Sequence, residues 1–125
     1  MFYRPIDDQL ALKLFSALDA EEDFAIIDRA AGWAEIGYWV DFQHEGKGYV
    51  SAGVREIERL CFTDLRLERV RITNDAANTR SRAIPERLGY TLEGVLRRDL
   101  VSGQGRIADH AVYSLLKPEW EVREG

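Results

Sequence analysis

Apolar positions recur along this chain in two rhythms, and the boundaries between them mark out the elements. Ala34-Glu35-Ile36-Gly37-Tyr38-Trp39-Val40 is an apolar, aromatic run of strand type, so residues 34–40 are expected to form a strand. A short polar loop with two glycines follows, Glu45-Gly46-Lys47-Gly48-Tyr49. Beyond it Val50, Val54, Ile57 and Cys61 recur at helical spacing and predict a helix from about Gly48 to Asp64. Residues 68–74 alternate, with Val70 and Ile72 on one face and Arg69 and Arg71 on the other, as a strand requires. Asn78 and Ser81 open a further helix that stops at Gly89, and Pro85 inside it predicts a kink or weak first turns. Two long strands at about 90–101 and 106–116 are joined by Ser102-Gly103-Gln104-Gly105, which is hairpin chemistry. Glu93-Gly94 predicts a bulge in the first, and Lys117-Pro118 ends the second. Upstream, residues 10–15 are expected to form a short strand. Asp19 is expected to cap a helix running to about Arg29, with Phe24, Ile27 and Ala31 on one face and Gly32 at its end. The order β-α-β-α-β-β indicates an α/β or α+β domain with a mixed sheet and helices on both faces.

The totals narrow the picture. The length of 125 residues predicts a single domain, 1–125, with a modest core. No apolar run reaches bilayer length and the N-terminus lacks a signal-peptide pattern, so no membrane partner and a cytoplasmic location are expected. A formal charge of −5 argues against a general nucleic-acid binder. The single Cys61 excludes an internal disulfide framework, and its place on an apolar helical stripe predicts a core residue. One Cys and two His offer no metal-ligand spacing, so no metal is expected.

The candidate chemistry lies in the glycine loop. A loop of this kind between a strand and a helix can turn successive backbone N–H groups toward one point, where the helix dipole adds positive potential. That makes a receptor for phosphate or pyrophosphate; a simple turn into a helix is the alternative.

The second half of the chain adds further motifs: Asn78-Thr79-Arg80-Ser81-Arg82-Ala83-Ile84-Pro85-Glu86-Arg87-Leu88-Gly89-Tyr90, Glu93-Gly94-Val95-Leu96-Arg97, and Asp109-His110-Ala111-Val112-Tyr113-Ser114-Leu115-Leu116. With the strand at 34–40 and the glycine loop, these resemble the GNAT N-acetyltransferase superfamily from Ala34 to Trp120. Within it they are similar to the ribosomal-protein alanine/serine N-terminal acetyltransferases. The resemblance implies acetyl-CoA as co-substrate, its pyrophosphate on Gly46, Lys47, Gly48, Tyr49, Val50 and Ser51. It also implies a pantetheine arm beside residues 35–40, with Trp39 and Val40 at its side. Strands 34–40 and 68–74 would splay to admit the thioester. A neutral amine would then attack directly, with no covalent enzyme intermediate.

The same resemblance assigns roles to single residues. Asn78 matches a position that hydrogen-bonds near the pantetheine; a helix N-cap is the alternative, and both roles are compatible. Ser81 matches the position that protonates the leaving thiolate; an ordinary first-turn serine is the alternative. The slot for a general base holds Leu100, with Asp99 beside it on the opposite face. Glu35, on the splayed strand, is the better candidate, against a strand-end surface carboxylate. Glu45, a carboxylate facing a pyrophosphate, and Val50 depart from the family pattern, and binding through main-chain amides tolerates both. Tyr113, Trp33, Trp39 and Trp120 are expected to pack, and His110 to be structural or solvated.

The N-terminal third departs further. Asp19 to Ala31 resembles the family's first helix, and Gly32-Trp33 then runs straight into the central strand. The second helix and the hairpin strands that the family places there have no counterpart, so a GNAT-like fold truncated ahead of the acetyl-CoA-binding strand is expected. One edge of strand 34–40 would be open, and a homodimer through that edge would close it. The reading for function is acetyl transfer from acetyl-CoA to a primary amine, either a small molecule or the N-terminal α-amino group of a peptide or protein. The alternative is an inactive remnant that binds CoA or a partner chain without turnover.

Overall fold

The structure, a computed structural model, describes residues 24–37, 49–102 and 105–125. The strand expected at 10–15, the Asp19 cap, Trp39, Val40 and the loop Glu45–Gly48 lie outside them.

Strands β1 (Phe24–Asp28) and β2 (Trp33–Gly37) form an antiparallel hairpin with Asp28 opposite Trp33. Its turn is built by Asp28 and Gly32. Asp28 Oδ1 accepts from the Ala31 N–H at 2.9 Å, and the Gly32 N–H donates to the Asp28 carbonyl at 2.8 Å. Gly32 has φ +83°, a conformation that a Cβ disfavours. This corrects the helix expected up to Arg29. Phe24, Ile27 and Ala31 fit a helical period, but the run Phe-Ala-Ile-Ile-Asp fits a strand as well. Its isoleucines favour extended backbone, and Asp28 with Gly32 is turn chemistry. The hairpin also corrects the open edge expected on strand 34–40, because β1 occupies it.

Helix α1 (Tyr49–Arg59) runs into one turn of π-helix, Leu60–Asp64, closed by Leu65 N–H to Leu60 carbonyl at 3.0 Å. The wider turn lets Leu60, Cys61 and Phe62 all face the core. Arg66, at φ +54°, then reverses the chain, and the Leu67 N–H reaches back to the Cys61 carbonyl at 2.9 Å. Next come β3 (Arg69–Asp75), α2 (Thr79–Arg87), β4 (Thr91–Val101), β5 (Ile107–Leu116) and α3 (Lys117–Glu124). Helix α3 was not anticipated. Lys117-Pro118 reads as a strand stop, yet a proline in a first turn gives up an N–H that has no helical partner anyway. The Glu119 carboxylate accepts from the Leu116 N–H at 2.8 Å and closes that end.

The sheet order is β1-β2-β3-β5-β4, with β2 and β3 parallel and the other pairs antiparallel. Among the described residues its outer strands are β1 and β4. The expected bulge is present between Leu92 and Gly94, and a second irregularity follows between Leu96 and Leu100. There Arg98 takes φ +53°, and its N–H donates to the Asp109 carboxylate at 2.9 Å.

Alternation along the strands separates two faces. Ala34, Ile36, Val70, Ile72, Ala111, Tyr113 and Leu115 point to one face and are buried, clustered with Val54, Ile57, Leu60, Cys61, Phe62 and Ile84. Each such aliphatic side chain contributes about 1.5–3 kcal/mol on leaving water. Trp120 of α3 packs there too, its ring 5.2 Å from that of Phe62. The opposite face carries Trp33, Glu35, Arg69, Arg71, Thr73 and Ser114. The expected flanking helices are therefore present, and among the described residues all three lie on one face. No described helix is long and apolar enough to cross a membrane.

Candidate functional site

The junction of β3 and α2 is the most highly organised polar region near the predicted site. Asp75 and Asn78 build it. The Asp75 carboxylate accepts from the Ala77 N–H at 2.9 Å, and the Asp75 carbonyl from the Asn78 N–H at 2.9 Å. Asn78 then caps α2. Its extended backbone carries Oδ1 to the Ser81 N–H at 3.0 Å, while its carbonyl accepts from Arg82 N–H at 3.0 Å. Arg82 locks the helix down. Its Nη1 donates to the Ala76 carbonyl at 3.1 Å, and its Nε to the Tyr113 hydroxyl at 2.8 Å. Tyr113 in turn donates to Glu86 at 2.7 Å. Burial, then the Glu86 carboxylate, pushes the Tyr113 phenol up despite Arg82, so it stays protonated and keeps donating.

Ser81 sits in the first turn of α2 and is 2% exposed. Four residues on, Pro85 has no N–H, so the Ser81 carbonyl lacks its usual helical donor. Asn74, at the end of β3, supplies one instead, Nδ2 to Ser81 carbonyl at 3.2 Å. The expected kink residue is thus compensated by a side chain from the sheet.

Glu35 lies across the sheet from Ser81, on the face opposite the helices. Its carboxylate pairs with Arg71 Nη2 at 2.8 Å, and the Arg71 guanidinium stacks 3.8 Å from the Trp33 ring centre. The two predicted catalytic groups therefore flank the β2–β3 pair from its two sides. Leu100, in the empty base slot, lies in the second irregular stretch of β4. His110 bonds Asp99 through Nδ1 at 3.1 Å.

At the end expected to hold phosphate, α1 begins at Tyr49, directly after the glycine loop in sequence, with no acidic residue in its first turn. Ser51 Oγ accepts from Arg87 Nη2 at 3.2 Å, which brings a guanidinium from the last turn of α2 to the first turn of α1. Neither Arg87 nor Asn74 was singled out from the sequence. Pro85 carried the signal for Asn74, because it leaves a carbonyl that a nearby donor must satisfy. Of the predicted pocket residues, Tyr49 and Val50 are placed by backbone alone, in the first turn of α1. Among the described residues, no group of three His, Cys, Asp or Glu side chains could hold a metal ion.

Residues 16–91 match the family described as acetyltransferase (GNAT) domain. This chain belongs to the GNAT acetyltransferase family. It is 43% identical over 95 residues to the putative ribosomal N-acetyltransferase YdaF of Bacillus subtilis strain 168, covering 76% of this chain and 51% of that protein. The crystal structure of a probable acetyltransferase superposes with a TM-score of 0.71 at 40% identity, over 78% of this chain and 56% of that one. The microcin C7 self-immunity acetyltransferase MccE, solved with acetyl-CoA and AMP, superposes with a TM-score of 0.63 at 32% identity, over 75% and 53% of the two chains. This GNAT chain spans about half the length of the curated relatives it matches.

Proposed function

We propose that this chain is an acetyl-CoA-dependent N-acetyltransferase domain, a single unit over residues 1–125 that acts in the cytoplasm. Its acceptor is a primary amine, best fitted by the N-terminal α-amino group of a peptide or protein. The single observation carrying this reading is the β3–α2 junction, where Asn78, Ser81 and Asn74 are held by one another on the strand that pairs in parallel with β2. The relatives support it: YdaF is named a putative ribosomal N-acetyltransferase, and MccE was solved with acetyl-CoA.

The residues fit the co-substrate. The start of α1, which follows Gly46-Lys47-Gly48 in sequence, offers main-chain N–H groups and the nearby Arg87 guanidinium to a pyrophosphate. The buried Asn74 Oδ1, which has no hydrogen-bond partner, offers an acceptor near Ser81. Trp39 and Val40 would flank the pantetheine arm. In the transfer, the neutral amine nitrogen bonds to the thioester carbonyl carbon and the carbon–sulfur bond breaks. Ser81 gives its hydroxyl proton to the departing thiolate and regains one from solvent, while the surplus proton on nitrogen leaves through Glu35 to water.

The other reading, a domain that binds CoA without turnover, is favoured by one observation: Arg71 already engages the Glu35 carboxylate. Calorimetric titration with acetyl-CoA, followed by CoA release with a peptide acceptor, separates the two. Saturable micromolar binding with release that Ser81→Ala slows at least tenfold supports the enzyme. Binding without release supports the alternative. No binding by the folded chain overturns both. We also propose a homodimer through an outer strand of the sheet, which light scattering would test; a monomer at working concentration would sink it.

A further inference from the structure

Asn74 is held in a way that its structural role does not exhaust. Pro85 has no N–H to give the Ser81 carbonyl, and the Asn74 amide presents its NH2 group there, at 3.2 Å. Flipping the amide would set oxygen against oxygen at that distance. Its orientation is therefore fixed by the protein, and Oδ1 is turned away from Ser81. That oxygen is buried and has no hydrogen-bond partner, in a residue only 7% exposed. A buried acceptor left unpaired costs about 1–3 kcal/mol. Asn74 follows Thr73, which pairs with Gly37 of β2, and is itself paired to Ala111 of β5. An acceptor oxygen thus stands unused beside the β3–α2 junction, one hydrogen bond from Ser81.

We propose that Asn74 Oδ1 is a positioning contact for an N–H group of the reacting pair. The inference rests on the acetyltransferase reading. Two sources share that chemistry: the amide N–H of CoA nearest its sulfur, and the N–H of the incoming amine. The neutral amide suits both. A carboxylate in its place would favour the ammonium form of the acceptor, which has no lone pair to attack with.

The test compares wild type with Asn74→Ala. Calorimetry gives Kd for CoA, and steady-state assays with acetyl-CoA and a short peptide with a free N-terminus give kcat and the peptide KM. A CoA analogue with an ester in place of the amide nearest the sulfur supplies the arm that a merely structural role would not move. If CoA is the donor, wild type binds the ester analogue about tenfold more weakly than CoA, and Asn74→Ala binds the two alike. If the amine is the donor, CoA binding is unchanged and the peptide KM rises about tenfold in Asn74→Ala, with kcat less affected. A folded Asn74→Ala variant with both constants within twofold of wild type overturns the proposal and leaves the acetyltransferase reading standing. Wild type that binds no CoA overturns both. Should Asn74→Ala fail to fold, wild type alone decides. The proposal then falls if the ester analogue binds as tightly as CoA and a peptide with an N,N-dimethylated terminus, which has no N–H when neutral, competes with an inhibition constant equal to the KM of the free peptide.

Discussion

Two buried polar clusters sit beneath the same helices, and they are finished to different degrees. The first surrounds Glu58 of α1, which is 0% exposed. Its carboxylate accepts from the Tyr90 hydroxyl at 2.5 Å and from both terminal nitrogens of Arg123, one of them at 3.3 Å. Arg123 also donates to the Leu88 carbonyl at 2.8 Å and, through Nε, to Glu124 at 2.7 Å. Neither Glu58 nor Arg123 is left with an unpaired buried polar atom. The second cluster, Asn74 with Ser81 and Asn78, is also bonded but leaves the Asn74 Oδ1 acceptor over. A closed cluster serves the fold, here by tying α3 to α1 and to the end of α2. An open one has capacity for something the chain does not itself contain. Burial alone does not separate the two; the count of satisfied atoms does.

The largest effect should come from breaking the closed cluster. Arg123→Met removes the partner of a buried carboxylate and should cost about 3–5 kcal/mol in urea unfolding. Glu58→Gln in the same background should restore part of that, since the charge left stranded is then gone. A loss below about 1 kcal/mol for Arg123→Met would show that α3 is not latched by this pair.

Alkaline pH probes the same cluster with a smaller, graded effect. Burial, then the Glu58 charge, pushes the Cys61 thiol up to about 12, and the same causes hold the Tyr90 phenol well above its usual value. Both groups bind their protons more tightly folded than unfolded. Their contribution is therefore full below about pH 9 and is lost as pH rises through the folded values, by about 1.4 kcal/mol per pH unit for each group in its window. For Cys61 that window runs from pH 9 to about 12. Urea midpoints should be nearly level from pH 8 to 9 and fall at pH 10 and 11, and Cys61→Ala should flatten the first part of the fall. A level profile in wild type would sink the argument.

What could be read in advance follows the range of the interactions. The α1 stripe of Val54, Ile57 and Cys61, the alternation of Val70 and Ile72, and the bulge at Glu93-Gly94 are local patterns, and each is where it was expected. Strand β1 was misread because five residues cannot distinguish two periods, and Gly32 serves a hairpin as well as a helix end. Helix α3 was missed because Pro118 is a stop after a strand and also a good start for a helix. The Asn78 cap was legible because capping is local. The pairs Glu35–Arg71 and Glu58–Arg123 were not, since they depend on which strands and helices become neighbours. Asn74 lies between these cases: Pro85 announces an orphaned carbonyl at Ser81, but only the fold says which donor answers.

Asn78→Ala tests the open cluster at a smaller scale. Loss of the cap should cost about 1 kcal/mol, seen as a lower urea midpoint. Because Asn78 holds the Ser81 N–H, the variant should also raise Kd for CoA severalfold. Asn78→Asp keeps an acceptor and should restore the stability. If Asp restores stability and CoA binding together, the residue acts only as a cap.

The smallest change in stability is expected at Glu35, where a partly exposed pair stands in for the buried one. The side chains of Glu35 and Arg71 are 13% and 27% exposed, so solvent screens their attraction. Glu35→Gln keeps the shape and a hydrogen-bonding oxygen, and should cost under about 1 kcal/mol. Its kinetic effect is the informative one. A base that takes the surplus amine proton must lose its pair with Arg71, or act through water, during each turnover. Glu35→Gln should then lower kcat/KM about a hundredfold at nearly unchanged stability. If stability and kcat/KM both stay as in wild type, Glu35 serves only to anchor Arg71 over Trp33. The proton then leaves by solvent, and catalytic weight shifts to the α2 side of the sheet.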